Sequence, residues 1–458
     1  MGLFEPFCFE APPLAPPAPI AEGQEGDPKV TRTRIVATLG PATASSEKIR
    51  ALIEAGVDVF RLNFSHGTHA QHGELIKGIR HIAEDRPIAI LQDLCGPKLR
   101  LARPVKGKPG DVVEIDLPST VRAGDPVLLA DGLMQLEVVD SRRSRVVVGG
   151  DIPAGKGINL PSSQLDIPSL TPKDREDLAF GVAQKVDYVA LSFVRRASDL
   201  DDVKKSGIPC VAKIEKPQAI QNLEEIVRAA DGVMVARGDL GVEIPIERVP
   251  VAQKRVIALA NREGKPVITA TQMLRSMVDN PAPTRAEATD VANAVLDGTD
   301  AVMLSEETAI GHYPVEAVRM MDRILAEAEP LLEPRRELLG PDPAEAIAHA
   351  ACSIAERVNA SAIVVPTSTG STARRIARYR PRIPILVLTN SEPVRRALGL
   401  VWGVTALSAP WFTETAPVLE RFREVVRGLV SSGATVVVTA GWPFARPGTT
   451  NLVHVTTV

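Results

Sequence analysis

The sequence predicts an α/β protein: a (β/α)8 barrel, interrupted by a small β-barrel domain and followed by an open α/β sheet. Three observations carry this. Eight short apolar, β-branched runs alternate with segments of helical period. One gap between them holds shorter strand-like runs separated by Gly, Asp and Pro turns. After a proline-marked linker a second α/β series begins.

In chain order, residues 1–30 include "APPLAPPAPIAEGQEGDP", which is proline-rich, lacks apolar period and predicts a flexible tail. The barrel takes residues 31–100 and 164–332. Its strands are "RIVATLG", "VDVFRLNFS", "PIAILQDL", "VDYVALSFV", "PCVAKIE", "DGVMVARGD", "KPVITATQM" and "TDAVMLSEE", and "SSEKIRALIEAG", "QAIQNLEEIVRAA" and "VAQKRVIALANREG" read as helices between them. Residues 101–163 form the insertion, with "GDVVEIDL", "DPVLLA", "QLEVVD" and "SRVVVGG" as its strands. The linker "PLLEPRRELLGPDP" opens the C-terminal domain, residues 333–458, whose strands are "AIVVPT", "IPILVLT", "VTALSA", "TVVVTA" and "LVHVTTV".

A chain of 458 residues, 45% hydrophobic, has enough apolar mass for two or three cores. Its 53 basic and 56 acidic residues leave a net charge of -3, so it carries no electrostatic footprint for nucleic acid or an anionic membrane. Cys8, Cys95, Cys210 and Cys352 are far apart, without CxxC spacing, which fits a reducing cytoplasm. No secretory signal or membrane-spanning stretch is expected.

Barrel chemistry gathers at the C-terminal ends of the strands. There the sequence places Arg61, Asn63 and Ser65 on the second strand, Asp93 on the third and Ser192 on the fourth. Lys213 and Glu215 end the fifth, Arg237 and Asp239 the sixth, Thr271 the seventh, and Ser305 and Glu307 the eighth. Glu215 and Asp239, on neighbouring strands, suit a hard octahedral Mg²⁺ or Mn²⁺ that keeps water and substrate oxygens in its shell. Lys213 and Arg61 place positive charge where a transferring phosphoryl group and an enolate need it. An ion-pair network closing the barrel mouth is the competing reading. In "ILQDLCGPKLRLA", Lys98 and Arg100 follow Asp93 closely, two cations beside one carboxylate. His66, His69 and His72 lack the acidic or cysteine partners of a zinc site. In the C-terminal domain, Thr367, Ser368, Thr369, Gly370, Ser371 and Thr372 lead from a strand into a helix, the anatomy of a phosphate cradle or of an ordinary N-cap.

From about Thr31 onward the chain resembles the pyruvate kinases. The motifs "RLNFSHG", "DLCGPKLR", "KGINLP", "KIEKP", "MVARGDLGVEIP", "ATQMLRSM", "PTRAEATDVANAV" and "MLSEETA" carry the resemblance. It implies phosphoryl transfer from phosphoenolpyruvate to ADP and a homotetramer, and the cradle at Thr367 to Thr372 is expected to bind an activating sugar phosphate or nucleoside monophosphate. It also implies Glu215 and Asp239 as Mg²⁺ ligands, Lys213 beside the phosphoryl group and enolate, Arg61 on the phosphate, and Gly238, Asp239 and Thr271 on the carboxylate. Thr271 would help relay the proton, while Asn63, Arg100 and Lys156 match nucleotide contacts. In potassium-dependent members Asn63, Ser65, Asp93 and the Leu94 carbonyl would hold K⁺.

Three departures stand out: a short insertion, Glu306 where many members have glycine, and Lys98 where potassium-dependent members have glutamate. The third predicts that K⁺ is not required, the Lys98 ammonium standing in for it near Asp93 and Ser65. A pyruvate-specific aldolase or lyase would share the acidic pair but would not need Arg100, Lys156 or the insertion. A non-catalytic sugar-phosphate sensor would have no use for Lys213, Glu215, Asp239 and Thr271 together.

Overall fold

Alternation along each apolar run decides which side chains enter the barrel and which face the helices. In β1 (Arg34–Thr38), Val36 points into the barrel core while Ile35 and Ala37 pack outward. The computed structural model describes residues 31–130, 132–161, 168–337, 340–409, 426–427, 430–441 and 450–458. The expected tail, residues 1–30, lies outside the described residues.

The other barrel strands are β2 (Val59–Asn63), β3 (Ala89–Asp93), β4 (Tyr188–Leu191), β5 (Cys210–Ile214), β6 (Gly232–Ala236), β7 (Val267–Ala270) and β8 (Ala301–Leu304). All pairs are parallel and β8 closes on β1, so the eight expected strands make the expected barrel. Helix starts carry the caps their sequences announce. Thr68, Thr171 and Thr284 each form a capping box with the residue three places on. The segment expected as one helix at "QAIQNLEEIVRAA" is two, Pro217–Gln221 and Leu223–Ala229, broken at Asn222.

At the opposite end from the strand termini, four aspartates repeat one contact. Asp58, before β2, accepts from the Ile35 amide of β1 at 2.8 Å. Asp187, before β4, does the same for Ile90 of β3 at 2.8 Å, Asp231 for Cys210 of β5 at 2.9 Å, and Asp300 for Val267 of β7 at 3.1 Å. Each even strand is thus preceded by a carboxylate that satisfies the first amides of the odd strand beside it.

The insertion between β3 and β4 takes the form of a five-stranded antiparallel sheet and a two-stranded ribbon, Val105–Gly107 with Gly150–Ile152, around one apolar core. Its ribbon and the short return strand Ile158–Asn159 were not among the expected strands, being too short to show a period. The C-terminal domain is an open sheet of β9 (Ala362–Pro366), β10 (Ile385–Thr389), β11 (Val404–Ser408), β12 (Thr435–Ala440) and β13 (Leu452–Thr457). Its order is β11-β10-β9-β12-β13, with only β13 antiparallel. No helix among the described residues is long and apolar enough to cross a membrane.

Candidate active site

Four charged side chains from three strands meet at the barrel mouth. Asp93 at the end of β3 accepts from Arg61 Nε at 2.7 Å and lies 3.2 Å from Lys213 Nζ. Lys213 also stands 2.9 Å from Glu215 Oε1 and donates to Ser192 Oγ at 2.8 Å. All four are largely buried. Burial alone would raise the Asp93 carboxyl, but Lys213 and Arg61 together hold it below the ordinary aspartate range. Burial would lower the Lys213 ammonium, yet Asp93 and Glu215 raise it, so it keeps its proton. Glu215 goes the other way: burial raises its carboxyl against the pull of Lys213, and Asp239 adds to the rise.

Glu215 follows β5 and Asp239 follows β6, two adjacent strands of the barrel. Glu215 is held by the Phe193 amide at 2.8 Å on Oε2, while its buried Oε1 meets only the Lys213 ammonium. Asp239 sits in the first turn of the helix Arg237–Glu243, a quarter exposed. No third His, Cys, Asp or Glu joins them among the described residues. Two carboxylates with spare lone pairs fit Mg²⁺, which takes few protein ligands and keeps its remaining oxygens from water and substrate.

Thr271 follows β7 in a left-handed backbone conformation, φ 68°, and Gln272 repeats it at 56°. Non-glycine residues adopt this only where the surroundings hold them. Arg237 does the holding: it donates to the carbonyls of Ala270 at 3.2 Å and Thr271 at 2.8 Å, and is tied to Asp290. The Thr271 hydroxyl accepts the Gly238 amide at 2.7 Å, so the amide expected to meet a substrate carboxylate is engaged with it here.

Against this geometry, sequence comparison is decisive. A family model described as the pyruvate kinase barrel domain matches residues 30–117 and 111–318, and one described as the pyruvate kinase alpha/beta domain matches 345–456. The chain belongs to the pyruvate kinase family. It is 45% identical to pyruvate kinase 2 of Synechocystis, over 94% of this chain and 80% of that one. The pyruvate kinases of Geobacillus stearothermophilus and Agrobacterium vitis are also 45% identical, over 93% of this chain and 80% and 96% of theirs.

For a pyruvate kinase, one expected contact is displaced. Lys98 does not pair with Asp93; its ammonium lies 3.6 Å from Asp239. The chain turns at Gly96, φ 69°, where a Cβ would strike Phe193, and carries Lys98 over Gly157 toward the helix Arg237–Glu243. The two cations that crowd Asp93 are Arg61, from the neighbouring β2, and Lys213, from β5 beyond β4, and neither comes from its own loop. Ser65 and Asn63 stay beside Asp93: the Ser65 amide donates to Asn63 Oδ1 at 3.1 Å, and Asn63 is in register with Asp93. The Leu94 carbonyl accepts from the Ser192 hydroxyl at 2.7 Å. Arg100 and Lys156 are exposed and adjacent, on the two strands that lead into and out of the insertion.

Glu306 pairs with Arg275 at 2.6 Å. His69 does have an acidic partner, Asp177 at 2.7 Å, contrary to expectation, but the histidines gather no metal-binding group among the described residues. In the C-terminal domain the amides of Thr369 and Gly370 turn to the Thr367 hydroxyl, and that of Ser371 to the Thr369 hydroxyl. The Thr372 hydroxyl pairs with that of Thr450. Ser368 completes this closed turn.

Sequence reasoning missed Thr38, whose hydroxyl accepts Arg61 Nη1 at 3.1 Å and donates to the Leu304 carbonyl at 2.9 Å. Its position as the polar end of "RIVATLG" was the available signal. Lys216 and Glu243, which meet at 2.6 Å, gave none.

Proposed function

We propose that this pyruvate kinase transfers the phosphoryl group of phosphoenolpyruvate to ADP with Mg²⁺ and without a requirement for K⁺. The single observation that carries the reading is the buried Arg61–Asp93–Lys213–Glu215 network at the barrel mouth. Arg61 is fixed by Asp93 and Thr38 through Nε and Nη1, and Nη2 remains to meet a phosphate oxygen. Lys213 stays protonated and supplies a preorganised charge as the phosphoryl group leaves and the enolate forms. Mg²⁺, held by Glu215 and Asp239, would neutralise phosphate oxygens. Thr271, whose backbone Arg237 clamps, would pass a proton to the enolate carbon once its hydroxyl leaves the Ala270 carbonyl. Asn63, Arg100 and Lys156 would meet the nucleotide as residues 101–163 close over it. Coupled ATP formation from phosphoenolpyruvate and ADP tests the reading. Turnover of a pyruvate aldol or lyase substrate without ATP formation would replace it.

Potassium independence is supported by charge already in place. Arg61 and Lys213 compensate Asp93, and Lys98 adds a cation at Asp239. The expected result is near-full activity with a tetraalkylammonium counterion in buffer free of Na⁺ and K⁺. Lys98→Glu should lower it, and K⁺ should restore part. A wild type that needs K⁺ would remove this part of the proposal.

The same reading takes the active form as a cytoplasmic homotetramer, with residues 333–458 as the regulatory domain. A sugar phosphate or nucleoside monophosphate at Thr367 to Thr372 would open the closed turn. Such coupling is typically about 1 to 3 kcal/mol, so phosphoenolpyruvate affinity should rise roughly five- to a hundredfold. Ser371→Asp should abolish the response; an unchanged activation curve would move the effector elsewhere.

A further inference from the structure

The inserted domain is attached to the barrel by two strands running side by side, an outgoing one through Lys98 and Arg100 and a returning one through Gly157 and Asn159. They are joined by the Arg100–Gly157 bridge, and the Ile158 amide donates to the Leu99 carbonyl at 2.9 Å. Both reach the same short helix, Arg237–Glu243. Lys98 approaches Asp239 in its first turn, and Asn159 Nδ2 donates to Glu243 Oε1 at 2.9 Å one turn later. Residues four apart lie on one helix face, so the helix offers one carboxylate to each strand.

The two contacts differ in kind. Lys98 and Asp239 are each about a quarter exposed and 3.6 Å apart. Asn159 and Glu243 are buried, and Glu243 Oε1 also receives Lys216 Nζ at 2.6 Å. Lys216 follows Glu215 directly and lies 5.4 Å from the Phe193 ring, the residue whose amide holds Glu215 and whose ring stops any Cβ at Gly96. One buried carboxylate therefore fastens the returning strand and, through Lys216 and Phe193, abuts the turn from which the outgoing strand departs.

We infer that Glu243 is the pivot of the inserted domain: a positioning residue that fixes the returning strand to the metal-side helix while the outer contact at Lys98 exchanges. The inference rests on the proposed closure of the inserted domain over the nucleotide. A desolvated charge with two donors is costly to break, whereas a longer pair a quarter exposed to solvent is cheaper, so rotation goes through the second and about the first.

The test substitutes Asn159→Leu, which removes the tie and leaves the Lys216–Glu243 pair intact, and compares it with Glu243→Gln. Asp151→Asn, at the exposed Lys106–Asp151 pair of the ribbon, is the control. Hydrogen exchange of residues 96–101 and 156–161 is measured on the metal-free, substrate-free protein. Exchange in 156–161 should rise roughly tenfold in both variants and stay unchanged in the control. With substrates, KM for ADP should rise about fivefold while KM for phosphoenolpyruvate moves less than about twofold. Unchanged exchange and an unchanged ADP KM overturn the pivot. So does an equal rise in both KM values with a general loss of exchange protection, which marks a merely structural contact. If Asn159→Leu does not fold, Glu243→Gln reads the same quantities with volume preserved. A wild type that makes no ATP would sink the proposed reaction, while the exchange measurement would still decide the pivot.

Discussion

The two ends of the barrel use carboxylates in opposite ways. At the end facing the C-terminal domain, Asp187 accepts from the Ile90 amide, from Arg80 at 2.6 Å and from Arg396 at 2.8 Å. Asp300 takes the Val267 amide and lies 3.2 Å from Arg380, a guanidinium almost fully buried. Oxygens saturated by backbone and arginine donors have one arrangement. At the mouth, Glu215 has one amide on Oε2 and, on Oε1, only the Lys213 ammonium at 2.9 Å. Incomplete satisfaction in a buried place is unfavourable for the protein alone and useful for a ligand. The difference teaches where charge is structural and where it is held ready.

If that contrast is right, a charge removed at the base should cost stability and one removed at the mouth should cost activity. The largest effect is expected for Asp300→Asn, which strands Arg380: about 3 to 5 kcal/mol of stability by urea unfolding, with turnover per folded molecule little changed. Equal loss of stability and turnover would erase the contrast. Next comes Lys213→Met, where turnover per folded molecule should fall roughly a hundredfold or more. Wild-type turnover would refute the role given to Lys213. Glu215→Gln and Asp239→Asn should each raise the Mg²⁺ concentration for half-maximal rate, by about tenfold or more. If both keep wild-type metal dependence, the metal assignment fails.

The smallest effect concerns pH. The folded Asp93 carboxyl titrates below its unfolded value, so its contribution to stability is complete above the ordinary aspartate range and is lost as pH falls through the lower folded value. The stability difference between wild type and Asp93→Asn should therefore be constant above about pH 5 and shrink in more acid solution. A difference that grows on acidification would reverse the sign argued for the Arg61 and Lys213 pairing.

Much of the site was legible because parallel strands put every strand end at one mouth, so order along the chain was enough to gather Arg61, Asp93, Lys213, Glu215 and Thr271. The base ring was legible too, and went unread. The runs "VDVF", "VDYV", "DGVM" and "TDAV" all begin even strands with an aspartate, which alone resembles any turn residue. Lys98 misled because five residues of separation looked like contact, whereas the left-handed turn at Gly96 sends its side chain away from Asp93. Asn159 and Glu243 are 84 residues apart, and no local pattern announces a pair that only the return of the insertion brings together.

The base ring also divides the barrel into four two-strand cassettes, each locked by one aspartate, and these differ in how far the chain must travel to close. The locking contacts span 23 residues for Asp58, 21 for Asp231 and 33 for Asp300, but 97 for Asp187, because the insertion lies inside the second cassette. Roughly two doublings of loop length add about 1 kcal/mol of closure entropy, and distant contacts form late. The insertion offsets part of this by folding on itself: once the Leu101 amide meets the Lys156 carbonyl at 2.8 Å, the intervening chain no longer counts toward the loop. In refolding, the inserted domain should therefore gain protection before β3 and β4 pair, and the second cassette should be the last quarter of the barrel to lock.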